Sequence, residues 1–153
     1  MPSSIPAVKK GLRQFWQTTV GLRSDDGVVV RSAPVAPDEF AAEQITLGDV
    51  AAPQGRAGLG RKEERPSVTC WIRIQRPGSD EDAVDAARDR AYELLALVEQ
   101  SLRVDPSAAG TIPPPAGTTV SESALEEYPS GPDGTATRVA QLRFTISWTS
   151  HGI

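Results

Sequence analysis

The residues most open to a chemical reading lie at 55–61, Gly55-Arg56-Ala57-Gly58-Leu59-Gly60-Arg61. Backbone amides of a glycine loop can cradle phosphate where the loop opens a helix, whose N-terminus favours an anion. Here Arg61 to Pro66 lead into a strand pattern, and the Lys-Ser/Thr pair of a phosphate loop is missing. Nucleotide binding is therefore not the expected use. Cys70 alternates with Val68 and Ile72, which places it in a core rather than beside a base that would activate it. His151 is the only histidine, so no histidine cluster can hold zinc. Asp80-Glu81-Asp82, with Asp85 and Asp89, lacks the mid-loop glycine and terminal glutamate of a calcium loop and reads as a solvated helix start. These readings predict no catalytic residue, no cofactor, no metal and no enzymatic activity.

Charge and one aromatic residue point instead to surfaces. Residues 56–76 carry a net +4 and residues 80–105 a net −5. A basic and an acidic surface on one domain suit head-to-tail association, because a heterologous interface needs two unlike patches. Arg56, Arg61, Lys62, Arg65, Trp71 and Arg73 are the candidate assembly or lumen-facing residues. Trp71 falls on the strand face opposite Val68, Ile72 and Ile74. Two coverings fit it: a partner protein, or the N-terminal helix folded back as a second layer.

Composition bounds what can hold these residues. At 153 residues the chain is expected to form a single domain, 1–153, with a core of its own. Leu, Ile, Val and Phe make up 33 of its residues, enough to fold at a net charge of −4. Glycine and proline number 13 each, which predicts several loops. No apolar run approaches the ~20 residues that span a bilayer. Met1 to Ile5 lack the basic start and apolar stretch of a signal peptide, and a lone cysteine fits synthesis in a reducing compartment. The acidic balance disfavours wholesale nucleic-acid binding.

The pattern along the chain predicts the positioning elements. Ser4 as N-cap and Pro6 in the first turn open a helix whose apolar stripe is Val8, Leu12 and Phe15. Val28 to Val30 begin a short strand, and Glu43 to Ala52 alternate as a second. Residues 53–66 read as a long loop, a feature that usually means function or disorder. Ser67 to Arg76 is the clearest strand, with Val68, Cys70, Ile72 and Ile74 on one face. A long helix follows, capped by Ser79 or Asp80 and stopped by Asp105-Pro106. Residues 106–117 read as an extended connector. Strands over 119–128 and about 135–150 finish the chain, joined by the turn 129–134. The expected fold is α+β, a mainly antiparallel sheet of about five strands with a short N-terminal helix and one long helix packed on it, in the order α-β-β-β-α-β-β.

The layout resembles the tail terminator proteins of long-tailed bacteriophages. The pieces that carry the likeness are Ile5-Pro6-Ala7-Val8, the loop Gly60-Arg61-Lys62-Glu63-Glu64, and the strand end Ile74-Gln75-Arg76-Pro77-Gly78. The alanine-rich helix Ala83 to Val104, the Asp105-Pro106 break and the final strand Leu142-Arg143-Phe144-Thr145-Ile146 complete it. None of these is a catalytic signature. The resemblance implies a structural virion protein, assembled in the host cytoplasm, that closes into a hexameric ring on the head-proximal end of the tail tube. Its implied partners are other copies of itself, the tail tube protein and the neck, with genome DNA meeting the lumen only loosely. A neck or head-completion subunit would share this size, and a small nucleotide- or nucleic-acid-binding protein is the more remote alternative.

Overall fold

The computed structural model describes residues 5–33, 41–51, 54–57, 61–64, 66–112, 118–130, 137–148 and 150–151. Helix α1 spans Ile5–Gln17 and helix α2 Glu81–Val104. The strands are β1 (Val29–Arg31), β2 (Glu43–Ala51), β3 (Gln54–Ala57), β4 (Arg61–Glu64), β5 (Ser67–Pro77), β6 (Thr119–Ser130), β7 (Thr137–Ser147) and β8 (Ser150–His151). Five strands form a main sheet in the order β1-β2-β5-β7-β6, antiparallel except where β1 runs parallel to β2. Its strands and the two helices follow the expected α-β-β-β-α-β-β order.

The alternation in β5 and β7 dictates which face is buried. Val68, Cys70, Ile72 and Ile74 on β5 and Ala140, Leu142, Phe144 and Ile146 on β7 are fully buried, together with Ile45 and Leu47 on β2. Helix α2 covers them with Ala87, Ala91, Leu94, Leu95, Val98 and Leu102. Asp80 caps this helix by accepting from the Ala83 amide at 3.0 Å. Helix α1 lies on the same side and joins the same core through Val8, Leu12 and Trp16. Its buried stripe runs at spacings of four to Trp16, whose ring sits 6.3 Å from that of Phe144, while Phe15 is only partly buried.

Polar contacts clamp α2 to the sheet at both edges. Glu43 on β2 pairs with Arg76 on β5 and with Arg90 on α2. Arg88 reaches Glu127 on β6 at 2.5 Å, and this guanidinium holds the Glu127 carboxyl below its ordinary pKa. Tyr92 donates its hydroxyl to Glu122 at 2.5 Å, which raises the phenol's pKa.

Two expectations need correction. Residues 53–66 are not a plain loop: β3 and β4 lie within them and pair antiparallel, with β8 added as a third strand. Their sequences, Gln-Gly-Arg-Ala and Arg-Lys-Glu-Glu, hold no apolar alternation, so the pattern that reveals a strand is absent. Residues 106–112 are not extended but coil into tight turns. Ala108, Ala109 and Gly110 all take positive φ, and Ala108 and Ile112 are buried. Asp105 holds the turn, with Oδ1 accepting from the Ser107 hydroxyl and amide and Oδ2 from the Ala109 amide at 2.8 Å. Residues 113–117 lie outside the described residues.

Candidate assembly surfaces

The pairing registers place the second face of the main sheet row by row. Arg31, Thr46, Trp71, Arg143 and Ala124 form one row across all five strands, and Val29, Gln44, Arg73, Gln141 and Glu126 the next. This is the face away from both helices, so α1 is not the second layer over Trp71. Trp71 is half-buried. It rests across Gly48, where an added Cβ would lie 2.0 Å from the indole ring, so only glycine admits that close approach. Beside it, Ala124, Glu126, Gln141 and Arg143 line a hollow of about 30 Å³, too small for a metabolite. Arg143 is exposed and donates to the Ser123 hydroxyl at 3.1 Å. Arg73 is 5% exposed, and its guanidinium donates to Gln75 at 3.0 Å. It belongs to the sheet's own polar layer and offers no free surface.

The small sheet sets the backbones of Arg56, Arg61 and Lys62 in one ladder. Its order is β3-β4-β8, and each strand adjoins a strand of the main sheet in the chain: β2 leads to β3, β4 to β5 and β7 to β8. The three central strands of the main sheet therefore run on, in the same lateral order, into a second sheet at the end where β5 begins. Its register sets Arg56 opposite Lys62 and Ala57 opposite Arg61. Arg65 lies outside the described residues. His151 pairs through its backbone with Glu63. Of the glycine segment, residues 58–60 lie outside the described residues; the elements on either side of them are the strands β3 and β4.

At the far end of β5 the charge reverses. Helix α2 starts there and presents Glu81, Asp85, Asp89 and Glu93, all exposed and four residues apart, as one ridge. Sequence reading took this run for a solvated helix start. The helix dipole accounts for acids in the first turn but fades beyond it, so Asp89 and Glu93 gain nothing from it. The spacing of four was legible in the sequence and is the signal that reading passed over. Like charges at that spacing cost a helix roughly 0.2–0.5 kcal/mol per pair. Arg88 and Arg90 offset part of this through 3.4 Å contacts with Asp85 and Glu93.

Cys70 is fully buried. Burial drives its thiol pKa far above the ordinary range, and its Sγ–H faces the Val68 carbonyl at 3.9 Å. It is a core residue, not a nucleophile. Among the described residues no His, Cys, Asp and Glu side chains gather into a possible metal site, and no helix is long and apolar enough to cross a membrane.

No family model matches the chain, and no curated protein matches it. Among solved structures it is similar to a chain of the virion of a native gene transfer agent particle. The two are 11% identical with a TM-score of 0.46, over 98% of this chain and 100% of that chain. A likeness of this degree carries no argument about function.

Proposed function

We propose that this protein is a structural virion subunit, a tail-terminator-like protein that forms a ring on the head-proximal end of a phage tail tube, stops its growth and presents a surface to the neck. The observation that carries this reading is the pattern of charge on a small domain: the ladder that sets Arg56 opposite Lys62 in the small sheet where β5 begins, and the exposed acidic ridge of α2, which starts beyond the other end of β5. Unlike surfaces on one subunit make heterologous contacts, and these close into rings when the rotation between copies allows. The sequence layout described above supplies the tail-terminator assignment, with six copies as the expected ring. The ring's partners are the tail tube, the neck protein and, loosely, DNA passing through the lumen. Tight phosphate contacts would slow that passage, so the basic residues serve protein contacts first.

The test is native mass spectrometry and electron microscopy of tail tubes assembled with and without the purified chain. The expected outcome is six copies per capped tube and a narrow tail-length distribution that broadens when the chain is omitted. Tubes of unchanged length that carry no copies would overturn the reading. Binding to the portal side alone would move the protein to the neck.

A further inference from the structure

We infer that β6, the long free edge of the main sheet, is a docking site for an extended basic segment of a partner protein, which adds to the sheet as one more strand. The inference does not depend on the proposed ring.

The pairing fixes which backbone groups this edge offers. The Gln75 amide donates to the Ala42 carbonyl at 2.8 Å, so Gln75 turns its backbone toward β2. Successive residues of a strand face alternate neighbours, and opposed residues of an antiparallel pair exchange both bonds or neither. Val68, Cys70, Ile72 and Ile74 therefore face β7, and their partners on β7 face back. That leaves Val139, Gln141, Arg143 and Thr145 to bond β6, where they meet Tyr128, Glu126, Ala124 and Ser121. The backbones of Val120, Glu122, Leu125, Glu127 and Pro129 point out of the sheet. Pro129 fits this parity, because a residue without an N–H costs the ladder nothing at an outward position. Among the described residues nothing bonds to these outward groups, and Glu122, Glu127 and Pro129 are exposed.

The two edges of the sheet differ. β1 has only 3 residues, and its Val30 carbonyl already accepts from Gln17 of α1 at 3.3 Å. β6 runs for 12 residues, about twice the usual strand. A long bare edge is a template for another strand. A second β6 is a poor occupant. Centred on Glu126 or Glu127, a two-fold pair sets like charges directly opposite each other. Centred on Leu125, it meets the bulge between Glu122 and Ala124 after one residue on each side. The occupant's charge follows from the edge itself. β6 carries Glu122, Glu126 and Glu127 and no basic residue, and of these only Glu127 has a cation beside it among the described residues, Arg88 of α2. Room for side chains lies on the helix side. Hollows of about 260 Å³ beside Val84, Tyr128 and Pro129, and about 340 Å³ beside Glu99, Leu102 and Val120, open between α2 and the two ends of β6.

The probe is a blocked peptide of about ten residues in which lysine alternates with threonine, titrated into the full-length chain. Opposed residues share a face, so lysines set against Glu122 and Glu127 also supply the amides that bond the edge. Binding should weaken about tenfold or more when glutamate replaces lysine, or when every lysine amide is N-methylated, and should change little when every threonine amide is N-methylated. Hydrogen exchange gives the position. The amides of Val120, Glu122, Leu125 and Glu127 should exchange freely in the chain alone and slow about tenfold or more with peptide, while those of Ser121, Glu126 and Tyr128 are protected from the start. Glu127→Pro, which deletes an outward donor, should bind the peptide about tenfold more weakly than Glu127→Gln, which keeps it. No binding up to about millimolar peptide would overturn the docking. So would equal binding of the glutamate peptide or of both methylated peptides, or protection confined to other residues. Protection of the same outward amides by raising the chain's own concentration would give the edge to a second copy and overturn the basic partner.

Discussion

The main sheet and the small sheet share three strand paths yet are held by different forces. Along β5 every second residue from Val68 to Ile74 is buried beneath α2, and the strand's position follows from the apolar area it hides. Along β3 and β4 nothing comparable is available to hide. Those strands exist because β2, β5 and β7 deliver their neighbours side by side and the backbone ladder simply continues. The difference teaches that a strand can be placed by its flanks alone.

The comparison breaks most sharply at Phe144. This fully buried ring of β7 faces Trp16 of α1, and Phe144→Ala should cost about 3–5 kcal/mol, read as a lower urea midpoint with little change in slope. A loss below about 1 kcal/mol would mean that the helix face is not the core.

Acid sharpens the contrast at a smaller scale. Asp105 is held below its ordinary pKa by the Ser107 hydroxyl and the Ala109 amide, and Glu127 by Arg88. Both carboxyls bind protons less readily folded than unfolded. Their contribution is complete above the unfolded value, about 4, and is lost as pH falls through the depressed folded values. The melting temperature should drop across that acid window, and Asp105→Asn should flatten the drop. An Asp105→Asn chain with an unchanged acid slope would remove the turn from the account.

The smallest effect is expected on the small sheet. Arg56→Thr removes one of two opposed cations and adds a β-branched residue, so the stability of the free chain should stay within about 0.5 kcal/mol of wild type or rise slightly. A large loss would show that the small sheet is held by the core.

Much of the body was legible because burial is periodic. The alternation in residues 67–76 and 139–148 marked β5 and β7, and Asp80 with Asp105-Pro106 bounded α2 closely. Trp16 was missed as a core residue because Phe15 offers an equally apolar side chain one position away. Only the docking angle of α1 chooses between them. Of the candidate surface residues, Trp71 was placed on its correct face from alternation alone. Arg73, on the same face, is nonetheless buried, since alternation gives the side of a sheet and not the depth of cover.

What the sequence determined by itself is local or periodic: the α+β class, the face each strand buries, the helix ends and the two blocks of opposite charge. The tertiary structure decided three things that depend on non-local pairing. It set both helices on one face of the sheet and left Trp71 on the other. It carried β2, β5 and β7 on into a second sheet where β5 begins, with α2 starting beyond the other end of that strand. Backbone ladders form between segments far apart in sequence and depend little on side-chain identity. No pattern within residues 54–64 could therefore announce that those strands would pair, or which end of the molecule they would occupy.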